Sequence, residues 1–325
     1  MRVLVIDPID PTGEAHLREH AEVMQLDEAS QEEIRRAASS ADALITRSRV
    51  PDDIFQAAPG LRAALIHGTG TDLVPLAAAT AHGVAVGHLP GGNVQSVAEY
   101  CVMAILMLAR NVTAITAALR SGPWDAARRL GAHAHEISGL TAGLVGVGGI
   151  GGRLAKMLRD GFGMRVLGNQ RRLDRLPPQA QPADLDRLVA ESDFIVISAP
   201  LTPQTHRLFN AERIARMKPT AWLINVGRGP VIEEAALVDA LREQRIGGAM
   251  LDVYEHYRLE PGHPYFALDN VVLTPHLAGM TKESRRRMGR QAAEDTLRML
   301  AGERPTHFAN PEVWDRFTAR FEDRS

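Results

Sequence analysis

The sequence predicts an α/β protein made of two parallel-sheet domains. Three observations support this: a length of 325 residues, a regular alternation of short apolar runs with helical patterns, and a restart of that alternation near mid-chain. A single hydrophobic core stops growing at about 250–300 residues, so a chain of this length divides in two.

In the first part the apolar runs are RVLVI (2–6), ALIT (43–46), AALIH (63–67) and VAV (84–86), with helical patterns around 12–20, 31–38 and 73–82 between them. Strands interleaved with helices read as βαβ units, which assemble a parallel sheet. Next comes NVQSVAEYCVMAILMLARNVTAITAALRSGP, with Asn93 as a candidate N-cap and Gly122-Pro123 as a stop signal. One long helix bridging the domains is expected there. The strand rhythm restarts at GLVGV (143–147) and runs through RVLG (165–168), FIVIS (194–198), WLINV (222–226), GAML (248–251) and VVL (271–273). A final helix, TKESRRRMGRQAAEDTLRMLAG, is placed to return the chain to the first domain, its arginines forming a solvated face. No short-period repeat or low-complexity tract interrupts this plan.

Hydrophobic residues make up 45% of the chain and charged residues 23%, a globular balance. With 37 basic against 39 acidic residues the net charge is -2, so neither a nucleic-acid partner nor an anionic membrane surface is expected. Cys101 is the single cysteine, which excludes a disulfide framework or a cysteine metal site within one chain. The N-terminus enters a strand pattern directly, and the longest apolar run is too short to span a bilayer. A cytoplasmic protein is expected.

The stretch GLVGVGGIGGRLAKML places Gly146, Gly148 and Gly151 in a G-x-G-x-x-G pattern where a strand gives way to a helix. Glycines there permit a tight turn and let a pyrophosphate approach backbone N–H groups at the positive end of the helix. The strand, helix and following strand together point to a dinucleotide. An NAD site usually carries Asp or Glu about twenty residues beyond the glycines to hold the ribose 2′-hydroxyl. Here that place is Gln170, followed by Arg171 and Arg172. No carboxylate repels a 2′-phosphate, and an arginine fork can grip one, so NADP is favoured over NAD.

WLINVGRGPVIEEAALVDAL and VVLTPHLAG complete a set of spaced motifs, with TRS (46–48), HGTGTD (67–72), PGGNVQSVAE (90–99) and SAPLTPQT (198–205). With these the chain resembles, over nearly its whole length, the D-isomer-specific 2-hydroxyacid dehydrogenases, in the neighbourhood of phosphoglycerate dehydrogenases and glyoxylate or hydroxypyruvate reductases. The resemblance implies a flavodoxin-like substrate domain formed by residues 1–97 plus 282–325. It implies a Rossmann dinucleotide domain at 98–281, with a cleft between the two. The substrate is then a small 2-keto or 2-hydroxy acid and the assembly a homodimer.

The same resemblance makes Arg228 the clamp for the substrate carboxylate, a task suited to a planar fork of donors. It makes His276 the acid/base that exchanges a proton with the substrate oxygen. It widens the dinucleotide set to Gly149, Ile150, Ala199, Pro200, Val226, Gly227, Asp252, Ala278 and Gly279. Gly68, Thr69 and Gly70 become the loop whose N–H groups receive the substrate carboxylate, with Arg47 and Ser48 facing a distal substrate group.

One position departs from the pattern. Relatives usually carry an acid five residues after the aspartate of the DVF or DVY motif, where it bonds the catalytic histidine. Counted from Asp252, that position is Tyr257; Glu255 and Glu260 are the competing neighbours. A tyrosine can share one hydrogen bond but cannot stabilise an imidazolium at neutral pH as a carboxylate does. The change keeps a second reading open, a nucleotide-sensing corepressor on the same architecture, although such a sensor needs neither Arg228 nor His276. A methyltransferase would leave NVGRG and TPHLAG unexplained. The HAHE run (133–136) has metal-like spacing but no third ligand nearby in sequence, so no metal is expected.

Overall fold

The computed structural model describes residues 1–27 and 29–322. The chain forms two compact units, Met1–Asn93 with Met280–Ser325, and Val94–Gly279.

The first unit holds five parallel strands, β1 (Arg2–Val5), β2 (Glu22–Gln25), β3 (Ala43–Thr46), β4 (Ala63–Ile66) and β5 (Ala85–His88), in the order β2-β1-β3-β4-β5. β3 and β4 are buried at every residue, the signature of a sheet covered on both faces. The strand β2 is absent from the sequence expectation because its EVMQ stretch is a half-exposed edge with only two apolar residues. Helix Pro11–His20 starts cleanly: the Asp10 carboxylate accepts the Thr12 N–H at 3.0 Å, and Pro11 opens the first turn. The returning helix, Lys282–Leu300, brings Met288, Ala292, Ala293, Met299 and Leu300 into the same core as Val3, Val5 and Ile45. It crosses helix Pro11–His20 where Gly13 meets Gly289, so close that a Cβ on Gly13 would overlap the Gly289 carbonyl.

The second unit holds seven parallel strands. They are β6 (Thr141–Val145), β7 (Arg165–Asn169), β8 (Gln181–Pro182), β9 (Phe194–Ile197), β10 (Trp222–Asn225), β11 (Gly248–Leu251) and β12 (Val271–Leu273). Their order is β12-β11-β10-β9-β6-β7-β8. β6 starts two residues before its expected position and stops ahead of the first glycine of the loop. Successive side chains point to opposite faces: Leu144, Val196, Ile224 and Met250 pack with Ala98, Cys101 and Ile105. Val145, Ile195, Ile197, Leu223 and Leu251 pack with Leu188, Leu237 and Leu241 on the other side. The chain leaves β6 toward β7 on one side and resumes at β9 on the other, so β6 and β9 flank a topological switch point, where open α/β sheets bind ligands.

The expected single long helix is two helices, Val94–Ala109 and Val112–Ser121, bent by 58°. The break is at Asn111, whose φ of 51° is left-handed, a conformation that asparagine tolerates better than most residues. The second helix ends at Ser121, before the Gly122-Pro123 stop. Among the described residues, no single helix is long and apolar enough to cross a membrane.

Candidate active site

The carboxyl ends of the strands of the second unit gather the predicted residues on one edge of the sheet. After β6, Gly146 turns with φ +88°, and a Cβ there would lie 2.7 Å from the Ala199 backbone. The Ser198 hydroxyl donates to the Gly146 carbonyl at 2.7 Å and ties this turn to the loop after β9, which carries buried Ala199 and exposed Pro200. Gly151 sits against the Gly146 carbonyl and would clash there as any larger residue, while half-buried Ile150 packs on the core. Gly148 differs, since a Cβ on it would meet nothing within 4 Å. The first and third glycines therefore serve packing. The second keeps open the approach to the N-terminus of helix Gly149–Lys156, whose first-turn N–H groups suit a pyrophosphate.

The loop after β10 is braced by a residue the sequence reading missed. Asn225 is fully buried; its Oδ1 accepts the Gly227 N–H at 3.0 Å, and its Nδ2 donates to the Arg228 carbonyl at 3.0 Å. A polar side chain in the otherwise apolar strand WLIN was the available signal. Gly227 packs on the Ala199 carbonyl, and Gly229 lies so close to the Tyr254 backbone that a side chain would overlap it. Half-buried Val226 and Arg228 lie on this fixed turn, with one Arg228 Nη donating to the Gly227 carbonyl at 2.9 Å.

Asp252, 1% exposed at the end of β11, organises the loop after β12. Its Oδ1 accepts the Thr274 hydroxyl at 2.7 Å and the Leu277 N–H at 2.8 Å, and its Oδ2 accepts the Ala278 N–H at 2.9 Å. The His276 N–H donates to the Asp252 carbonyl at 2.9 Å. Tyr100 shares a 2.5 Å hydrogen bond with the Thr274 hydroxyl, and the Tyr254 hydroxyl donates to the Thr274 carbonyl at 2.7 Å. Within this frame His276 adopts φ +53°. A left-handed non-glycine residue costs roughly 1–2 kcal/mol, and such strain concentrates at functional positions. Gly279 follows at the end of the unit.

The ring of Tyr257 stands edge-to-face with that of His276, centroids 5.9 Å apart, and is 62% exposed. Glu255 is placed otherwise: its N–H donates to the Glu234 carboxylate at 3.3 Å and its side chain lies 3.8 Å from the Arg207 guanidinium. The other Glu234 oxygen pairs with His263 Nε2 at 3.0 Å, both side chains largely buried. This pair pins the ends of the segment that presents Tyr257. Glu260 is exposed.

At the end of β7 the Gln170 amide donates to the Arg172 carbonyl at 2.8 Å. Arg172 grips Asp174 with two bonds of 2.8 and 3.0 Å, and this bond holds the Asp174 carboxyl below its usual range. Arg171 is exposed. The arginine pair expected to face a 2′-phosphate thus has one member engaged with a carboxylate that sequence spacing did not single out.

In the first unit, Asp7 accepts the N–H groups of Arg47 and Ser48 at 2.6 and 2.8 Å and the Ser48 hydroxyl at 2.7 Å, fixing the turn after β3. After β4, the Gly68 carbonyl accepts the Leu89 N–H at 2.8 Å, the Thr69 hydroxyl donates to Asn93 Oδ1 at 3.3 Å, and Gly70 is half-buried. His67, which opens this loop, is 5% exposed with both ring nitrogens unpartnered. Burial, reinforced by the Arg47 charge, depresses its pKa to about 3. Among the described residues His133, His135 and Glu136 form no ligand group.

Residues 102–278 match the family model of the D-isomer specific 2-hydroxyacid dehydrogenase NAD binding domain. The chain is 40% identical over 291 residues to a glyoxylate reductase of Thermofilum pendens, covering 87% of this chain and 86% of the relative. The chain is a D-isomer-specific 2-hydroxyacid dehydrogenase.

Solved structures agree. A Thermus thermophilus protein of 35% identity superposes with a TM-score of 0.87 over 95% of this chain and 100% of its own. The NADPH-dependent glyoxylate/hydroxypyruvate reductase of Sinorhizobium meliloti, solved with NADP and malonate, is 27% identical with a TM-score of 0.83, covering 95% and 97%. The dehydrogenase transfers a hydride between NAD(P)H and a 2-keto or 2-hydroxy acid, acting on a CH–OH group. The corepressor reading is not favoured. Open space at Gly148 and the glycine-lined helix start fit the dinucleotide.

Proposed function

We propose that this dehydrogenase works as a reductase of small 2-keto acids of glyoxylate or hydroxypyruvate size, with NADPH preferred and NADH accepted. The observation that carries the reading is the shared sheet edge. The Arg228 loop, Asp252 and the His276 loop follow three adjacent strands, β10, β11 and β12, spaced about 4.8 Å from strand to strand. Arg228 holds the substrate carboxylate and polarises the keto group through its fork of N–H donors. Bound NAD(P)H supplies the hydride that reaches the keto carbon. His276 donates an imidazolium N–H proton to the carbonyl oxygen, leaving a neutral ring and a 2-hydroxy acid; Tyr257 flanks that ring.

The unit Val94–Gly279 is assigned to the dinucleotide, through Gly146, Gly148, Gly149, Ile150, Gly151, Gln170, Arg171, Arg172, Ala199, Pro200, Val226, Gly227, Asp252, Ala278 and Gly279. The unit Met1–Asn93 with Met280–Ser325 supplies Gly68, Thr69 and Gly70 for the substrate carboxylate, and Arg47 and Ser48 for a distal group. Helix Val112–Ser121 buries none of its residues and leaves Val112 and Leu119 exposed, with Trp124 65% exposed just beyond. A second copy covering this apolar face gives a homodimer, which sedimentation analysis tests. The single thiol, on buried Cys101, suits a reducing cytoplasm.

The experiment is coenzyme oxidation followed by absorbance with glyoxylate, hydroxypyruvate, phosphohydroxypyruvate and bulkier keto acids, using NADPH and NADH. The small acids should turn over fastest and Arg228→Gln should lose most activity. Turnover confined to the bulky acids overturns the substrate class, and an Arg228→Gln variant with unchanged kcat/KM overturns the clamp.

A further inference from the structure

Helix Pro11–His20 carries His16, Glu19 and His20 at positions i, i+3 and i+4, so all three lie on one helical face. One ligand atom from each falls within a sphere of mutual separations no larger than 4.8 Å. His16 Nδ1 is already 3.5 Å from a Glu19 oxygen, and the two imidazoles meet edge-to-face with centroids 5.2 Å apart. We propose that this face is a transition-metal site of the class that takes Zn²⁺, Ni²⁺ or Cu²⁺, with the two imidazoles and the Glu19 carboxylate as ligands and water completing the shell.

The geometry fits. Ligands about 2.0–2.2 Å from a tetrahedral metal stand roughly 3.4 Å from one another, so side chains separated by no more than 4.8 Å close onto it by small rotations. Glu19 and His20 are exposed and able to turn. The backbone beneath them is fixed, with Leu17 fully buried and Gly13 locked against Gly289. The neighbouring charges do not block the face, because Arg18 is bonded to Glu14 at 2.7 Å. His20 closes the helix, and the negative end of the helix dipole favours a bound cation there. Two imidazoles with one carboxylate select borderline metals over Mg²⁺ and Ca²⁺, which require oxygen-rich shells.

The test is calorimetric titration of the full-length protein with ZnCl₂ and with NiCl₂ near neutral pH. Wild type should bind one equivalent at this site, and His16→Ala or His20→Ala should weaken binding at least about tenfold. Glu19→Gln should weaken it less. A His133→Ala/His135→Ala variant should keep the wild-type isotherm, and Cu²⁺ paramagnetic resonance should show two nitrogen ligands that the His16→Ala/His20→Ala pair removes. Titrations that are unchanged in the His16→Ala/His20→Ala protein, or lost in the His133→Ala/His135→Ala protein, overturn the assignment. Keto-acid reduction should be the same in all these variants, since none alters the residues assigned to the reaction.

Discussion

Asp252→Ala should cost both stability and catalysis, through one loop. The wild-type carboxylate, 1% exposed, accepts a hydroxyl and two backbone N–H groups between 2.7 and 2.9 Å. In the variant the Thr274 hydroxyl keeps its bond to Tyr100, whereas the Leu277 and Ala278 N–H groups lose their acceptor. An orphaned buried donor such as the Ala278 N–H costs about 1–3 kcal/mol, and the part-buried Leu277 N–H adds less. Relief of the buried charge offsets part of this, so the net loss should be about 2–5 kcal/mol. For a unit of roughly this size that lowers Tm by about 5–15 °C. The loop that relaxes carries His276 in its left-handed conformation, so kcat should fall together with Tm. Asp252→Asn keeps one acceptor and should lie between. Differential scanning calorimetry, steady-state kinetics and direct titration of NADPH binding separate the effects. A variant with Tm within about 2 °C of wild type but greatly weakened NADPH binding would refute the bracing role and make Asp252 a direct coenzyme ligand.

Further outcomes follow from the same geometry. His276→Asn should lower kcat by about 10²–10⁴-fold, the usual contribution of a general acid, with Tm unchanged or raised because asparagine tolerates φ +53°; retained kcat removes His276 from the chemistry. Tyr257→Glu sets a carboxylate beside that ring and should move the alkaline limb of the kcat/KM pH profile for keto-acid reduction upward by about one unit, while Tyr257→Phe leaves it in place; an unmoved limb in the glutamate variant separates Tyr257 from the proton donor. Asp174→Asn releases Arg172 from its bidentate partner and should raise the NADPH-to-NADH ratio of kcat/KM several-fold, and a ratio that falls instead places Arg172 away from the 2′-phosphate. His67, with a folded pKa depressed to about 3 from 6.5, stays neutral in the folded protein while the unfolded chain takes up a proton. Stability is therefore full above about pH 6.5 and declines by about 1.4 kcal/mol per unit as pH falls toward 3; His67→Leu should flatten that limb in acid denaturation, and an unaltered slope refutes the assignment.

The sequence disclosed elements wherever a local rule and the tertiary environment agreed. Doubly covered strands such as ALIT and FIVI are apolar because both faces are buried, so the first was legible to the residue and the second to within one residue at its end. The glycine loop was legible because its requirements are steric and each falls on a fixed position. Failures came where a single residue or a distant partner decided the outcome. Nothing in the helical periodicity of 94–121 marks Asn111 as the break, since asparagine is tolerated both within a helix and at a left-handed turn. Asn225 was hidden for a related reason, and so were the partners of Asp252, which the resemblance assigns to the dinucleotide set without showing what it holds. Both are single polar residues at the ends of apolar strands, and their donors lie up to 26 residues away.

The residues proposed as proton donor and carboxylate clamp, and the glycine turn, are readable because chemistry restricts their identity. The groups that hold them, Asn225, Asp252, Thr274, Tyr100 and the Glu234–His263 pair, are restricted only by what they meet in the fold. Tyr257 lies at the border between the two classes. Its ring touches His276, yet its phenol brings none of the negative charge expected at that position. On the proposed assignment, proton transfer draws on the loop geometry around His276 for positioning, so loss of the Asp252 brace, whose carbonyl accepts the His276 N–H, should disturb catalysis even though its side chain takes no part in the transfer.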